Sequence, residues 1–93
     1  MLVRETRRLF ECINAIGAAA ALDGRAGEAA RLWGAAEAAR RRLDLVLHEI
    51  ELAIMFRAVP VALASLGEAA FDAARAEGRR FPLDDAAAEA LRR

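Results

Sequence analysis

The chain has no lysine, no tyrosine, one cysteine, one histidine and two prolines, and aromatics make up 5% of its 93 residues. Each shortage excludes something. A lone Cys12 rules out an internal disulfide and fits a reducing, cytoplasmic setting. A single histidine, His48, falls short of the three or four convergent ligands a zinc site needs, and His48-Glu49-Ile50-Glu51-Leu52 lacks the second His of the H-E-x-x-H motif. With so few aromatic and β-branched residues the chain is poorly supplied for a sheet. Fourteen basic and fourteen acidic groups balance to zero net charge, whereas a dedicated nucleic-acid binder is usually plainly basic. Long apolar runs are also missing. The first ten residues carry Arg4, Arg7 and Arg8 and do not read as a signal peptide. The most apolar stretch, Leu43 to Leu66, is interrupted by six charged, histidine or proline positions and makes a poor membrane span.

What is abundant is alanine, about a quarter of the chain. It inflates the apolar fraction of 57% and favours helix, because alanine loses no side-chain entropy on folding. The expectation is one all-α domain. A first helix spans about Leu2 to Leu22, with Leu9, Ile13, Ile16 and Ala20 on one face. Asp23-Gly24 marks a turn. A second helix spans about Ala26 to Leu43 and places Arg40, Arg41 and Arg42 in its last turn, where they suit the helix dipole. A third covers about Asp44 to Leu66, capped by Asp44, with a kink or break before Pro60 and Gly67 at its end. A fourth runs from about Glu68 to Glu77 and stops at Gly78. A fifth, capping helix spans about 84–92, with Asp84 and Asp85 at its positive end.

The most informative feature is a spacing. Ile13, Ile16, Gly17 and Ala20, then a turn at Gly24, then Ala29, Trp33 and Ala36, follow the tetratricopeptide pattern of about 34 residues. In that pattern small residues let two antiparallel helices approach, so Gly17 and Ala29 stand where backbones meet and Trp33 fills the space between helices. Ile13 replaces the usual Trp, Ala20 the Tyr and Arg41 the terminal Pro; a generic antiparallel helix pair is the competing reading. This gives a first repeat over about 10–43. A degenerate second repeat, about 53–82, uses Phe56, Val59, Pro60 and Leu63, the turn at Gly67, then Ala70, Ala74 and Pro82.

The string Ala29-Ala30-Arg31-Leu32-Trp33-Gly34-Ala35-Ala36-Glu37-Ala38-Ala39-Arg40, followed later by Leu66-Gly67-Glu68-Ala69-Ala70-Phe71 and by Glu77-Gly78-Arg79, resembles the C-terminal helical region of large bacterial transcriptional regulators of the LuxR and AfsR types. The resemblance covers about Glu11 to Leu91. It implies a tetratricopeptide-like segment that senses or scaffolds beside an ATPase domain. No G-x-x-x-x-G-K-[ST] phosphate loop occurs in this chain, the stretch Leu45 to Leu63 is more apolar than the corresponding helix in such regulators, and Pro82 replaces a Ser or Thr cap.

No constellation points to catalysis, a cofactor or a metal, and the expectation is a non-enzyme. Cys12 has no histidine near it in sequence and is expected to pack as a small apolar group in the core or an interface. His48 is expected on a solvated helix surface. The arginine groups 40–42, 79–80 and 92–93 read as helix-end charge. The third helix carries the functional clue. Asp44, His48 and Glu51 form one polar stripe, and apolar residues cover the rest. Either its neighbours wrap it as a central helix, or it forms a protein interface. The expected interface residues are Leu47, Ile50, Ile54, Met55, Phe56 and Val59, and the expected partner is a second copy of the chain, since two-fold dimers are the commonest homo-oligomers. Direct contact with nucleic acid or membrane is not expected. A small-ligand sensor with an apolar pocket near Trp33 is the alternative function.

Overall fold

The computed structural model describes residues 3–81 and Ala88, with side chains from Arg7 onward. It is all-α: the described residues form four helices, α1 (Val3–Leu22), α2 (Ala26–Leu43), α3 (Glu49–Leu66) and α4 (Glu68–Gly78), and no strand. Of the expected fifth helix only Ala88 is described, and it is helical; the rest of that span and Pro82 lie outside the described residues.

Helix α2 is the centre. It packs against α1, α3 and α4, and nine of its residues are buried. Alanine and glycine explain this, because short side chains let several helices close on one. Two clusters flank it. In one, Ala18, Ala20 and Ala21 of α1 meet Ala29 and Trp33 of α2, Ala58 and Ala62 of α3 and Phe71 of α4. In the other, Phe10 and Ile13 of α1 meet Leu32, Ala35, Ala36 and Ala39 of α2, with Ile16, Leu45 and Leu47 packed against them.

The short links use backbone conformations that suit their residues. Gly24, at φ 85°, turns α1 into α2, and Gly67, at φ 88°, separates α3 from α4; a side chain at either would be strained. With Gly67 as the sole link, the chain bends by 116° between α3 and α4. Helix α4 consequently packs mainly on α2. The two approach so closely that a Cβ at Gly34 would overlap the Arg75 carbonyl oxygen, and one at Gly78 would overlap that of Arg31.

Three sequence expectations need correction here. Helix α3 starts at Glu49, not Asp44. Asp44 instead closes α2 in the left-handed conformation, φ 53°, with its N–H on the Arg40 carbonyl; aspartate is among the few non-glycine residues that adopt this region readily. Leu45, Val46 and Leu47 therefore belong to a connector. The third is Pro60, which does not break α3. Pro60 and Phe56 are both exposed, so the carbonyl left without its donor four residues back can bond to water.

Candidate functional site: the α3 face and the cleft beneath it

Helix α3 is held by one side and by its first turn. Ala58 and Ala62 are buried, with Met55, Val59 and Leu66 packed against the same cluster. Its N-terminus is fixed by charge. His48 precedes the first turn, and its backbone N–H donates to Glu51 Oε1 at 3.2 Å, one half of a capping arrangement. Glu51 is buried and also accepts from Arg7 Nη2 at 2.8 Å. Arg7 Nε donates to Glu11 as well, so one guanidinium ties α1 to the start of α3. Glu51 is thus no part of a solvated stripe, whereas His48 is exposed as expected and stands at the N-cap position of α3 rather than inside the helix.

Glu11, His48 and Glu51 bring one potential ligand atom each within 4.8 Å of one another. That is a three-ligand grouping which sequence reasoning missed, because Glu11 and Glu51 are far apart in the chain. The cation that both carboxylates already hold is Arg7, so a metal ion would have to compete with it.

The outer side of α3 is different. Phe56 is 84% exposed and Ile50 70%, and Leu52, Ile54, Val61 and Leu63 are also exposed. Between Leu52 and Leu66 the one charged residue is Arg57. The expected interface residues therefore divide. Ile50, Ile54 and Phe56 face outward, whereas Met55, Val59 and Leu47 are half-buried against the core. Residue type alone cannot anticipate that division, since all six are apolar. No single described helix is long and apolar enough to cross a membrane; α3 and α4 pass together by length and composition, across their bend.

The residues expected for repeat packing are buried or half-buried but divide between the two clusters: Ala20, Ala29 and Trp33 lie in one, and Ile13 and Ala36, with Ile16 packed against them, in the other. A Cβ at Gly17 would lie 2.7 Å from Trp33 Nε1, so the indole rests on the glycine. Trp33 Nε1 donates to the Asn14 carbonyl at 3.4 Å, and its ring tilts against Phe71 at 6.3 Å between centroids. Cys12, expected in the core or an interface, is exposed.

Between α3 and this layer lies a cleft of about 300 Å³. Phe10, Trp33, Leu47, Met55, Val59 and Phe71 supply its apolar wall, and Asn14, Glu37, Arg40 and Arg75 its polar groups. Asn14 is buried and its Nδ2 has no hydrogen-bond partner. Glu37 is an ion-pair hub, taking Arg75 in a short contact, Arg41 at 3.0 Å and Arg79 at 3.4 Å. Burial alone would raise the Glu37 carboxyl. The hydrogen bond from Arg75, with the charges of Arg75, Arg79 and Arg41, outweighs it and holds the group below its ordinary value. Arg40 has no carboxylate partner among the described residues.

No family model, curated protein or solved structure matches this chain.

Proposed function

We propose that this chain is a non-catalytic helical interaction module that self-associates through the outer face of α3. The observation that carries the reading is the row of exposed apolar side chains Leu52, Phe56 and Leu63 along one flank of α3, with Arg57 the one charge between Leu52 and Leu66. Contiguous exposed apolar surface of this kind marks binding sites on soluble domains. A second copy is the occupant because the face has the symmetry to cover itself. Leu52, Phe56 and Leu63, spaced by four and seven, form a ridge along one flank of α3. Two such ridges crossing antiparallel bring Phe56 against its own counterpart near the two-fold axis and leave Arg57 at the rim, where it stays in water.

The finer architecture belongs to the same proposal. The antiparallel α1–α2 pair, with Gly17 under Trp33 and Ala29 buried, supports a tetratricopeptide-like unit. The resemblance to LuxR-type and AfsR-type regulators supports a role in transcriptional regulation, by contact with protein rather than with DNA, inside the cell.

Sedimentation velocity over a range of concentrations tests the reading. The unaltered chain is expected to shift from its 10.0 kDa monomer to a dimer as concentration rises. Phe56→Arg is expected to stay monomeric with an unchanged helical circular dichroism spectrum, since the side chain is exposed. Ile54 lies on the opposite flank of α3 from that ridge, so Ile54→Arg should leave the dimer intact and act only through some cost to folding, because Ile54 is only 38% exposed. A monomer at the highest concentration reached by the unaltered chain overturns the proposal.

A further inference from the structure

The cleft beside Trp33 has the chemistry of a ligand site independent of self-association. Its walls are apolar and partly aromatic, and its volume lies at the lower end of small-ligand pockets, roughly 300–1,000 Å³. Two of its polar groups want an acceptor. Asn14 is 6% exposed and its Nδ2 is unpartnered, and leaving a buried donor unsatisfied is costly. Arg40 brings a guanidinium that no described carboxylate compensates. The opposing charge, Glu37, is already matched by Arg75, Arg41 and Arg79. The lining therefore holds two arginines against one glutamate, a surplus of one positive charge.

From these groups we infer that the cleft binds a small amphipathic carboxylate, its apolar body among Trp33, Met55 and Phe71 and its oxygens on Arg40 and Asn14. A carboxylate suits because it only accepts hydrogen bonds, and the planar guanidinium matches it with two donors. An alcohol would give up the charge-assisted bond, and an amine would meet Arg40 with like charge.

Octanoate, 1-octanol and octylammonium share one chain length and differ in the head group, so they separate these possibilities. Each is titrated into the full chain and followed by Trp33 emission and by calorimetry. Octanoate is expected to bind saturably and to change the emission of the buried indole. Octanol should bind roughly tenfold to a hundredfold more weakly, the ratio expected for one charge-assisted hydrogen bond, and octylammonium not at all. Arg40→Gln, a partly exposed position on α2, should reduce octanoate affinity to the octanol level and leave octanol unchanged.

Absence of both heat and an emission change with octanoate overturns the inference. So does equal binding of all three probes, or an Arg40→Gln variant that retains octanoate. The self-association proposal fails separately: a monomer that binds octanoate through Arg40 sinks only the dimer, and a dimer blind to octanoate sinks only the ligand site.

Discussion

Helices α2 and α3 are both 18 residues long, and the less apolar of the two is the more buried. Charged Glu28, Arg31, Glu37 and Arg40 to Arg42 punctuate α2, yet nine of its residues are buried and three helices pack on it. Helix α3 has only Glu49, Glu51 and Arg57 as charges, and just Glu51, Ala58 and Ala62 are buried. The difference lies in side-chain size and its distribution. The apolar residues of α2 are mostly alanine and glycine, which present short surfaces all round and admit close neighbours. Those of α3 are mostly large, and the largest project from the flanks of a helix that has only one side, with Ala58 and Ala62, against the domain. Total hydrophobicity thus does not select the central helix; the ability to be approached does.

The sharpest way to break this comparison is to cut one large side chain from each helix. Trp33→Ala should cost about 3–5 kcal/mol, the range for an aromatic removed from a packed core. Phe56→Ala should stay within about 0.5 kcal/mol in dilute solution, as for an exposed site. Urea denaturation followed by circular dichroism measures both. A Phe56→Ala loss that grows with protein concentration would mean that the outer face of α3 is covered by a partner copy. Equal, concentration-independent losses would mean that α3 is as buried as α2 in the monomer, contrary to this fold.

Next in size is the anchor of α3. Arg7→Met removes the guanidinium from buried Glu51 and should cost about 3 kcal/mol, because a buried carboxylate is left uncompensated. Protection of α3 amides against hydrogen exchange should fall in its first turn before its last. Uniform loss along α3 would show that Arg7 supports the whole domain instead.

A smaller effect tests close approach within α2 itself. Gly34→Ala should cost about 1–3 kcal/mol, as overpacking does, since its Cβ would meet the backbone of α4, which cannot swing aside. Gly27→Ala has nothing within 4 Å of its Cβ and should stabilise by about 0.5–1 kcal/mol through helix propensity alone. Similar signs for the two would remove the steric account of why α2 is central.

These contrasts also mark how far the residues alone could lead. The span of α2, 26–43, could be read from its bounding turn and terminal arginines, and the need for a small residue at Gly17 from its spacing in a local helix pair, although what rests on Gly17 is the Trp33 indole and not the backbone of α2. Both depend on neighbours in sequence. Gly34 and Gly78 escaped that reading because their partners, Arg75 and Arg31, sit on another helix; in the sequence Gly78 reads only as a helix stop. Asp44 was legible as a helix-boundary residue but not as to which helix it serves, since the same side chain suits a cap and a left-handed turn. Glu51 looked solvated because nothing local reveals Arg7, 44 residues away. The apolar character of the α3 face was plain, but which of its residues point outward depends on where α1 and α2 dock. The apolar pocket expected near Trp33 has its counterpart in the cleft, whereas its polar groups, Asn14 and Arg40, come from two helices and share no motif.

The smallest effect concerns charge on the buried helix. Glu37 sits on α2, where carboxylate burial is unfavourable, and Arg75, Arg79 and Arg41 make it tolerable. Its folded-state pKa lies below the unfolded value, which is near the ordinary 4.5. Such a group contributes stability that is fully present above the unfolded value and is lost as pH falls through the folded one. Stability of the unaltered chain should therefore decline as pH drops below about 5. Glu37→Gln keeps an acceptor but not the charge, so it should be less stable at neutral pH. The gap between the two should be constant above about pH 6 and close as acid is added. Raising salt should narrow it too, because the partners Arg75, Arg79 and Arg41 are 32%, 41% and 67% exposed and charges open to solvent are screened. A gap that persists unchanged into strong acid would mean that the glutamine loses packing or hydrogen bonding rather than charge, and the three arginines would then be bystanders to α2 instead of the reason it can carry a carboxylate inside.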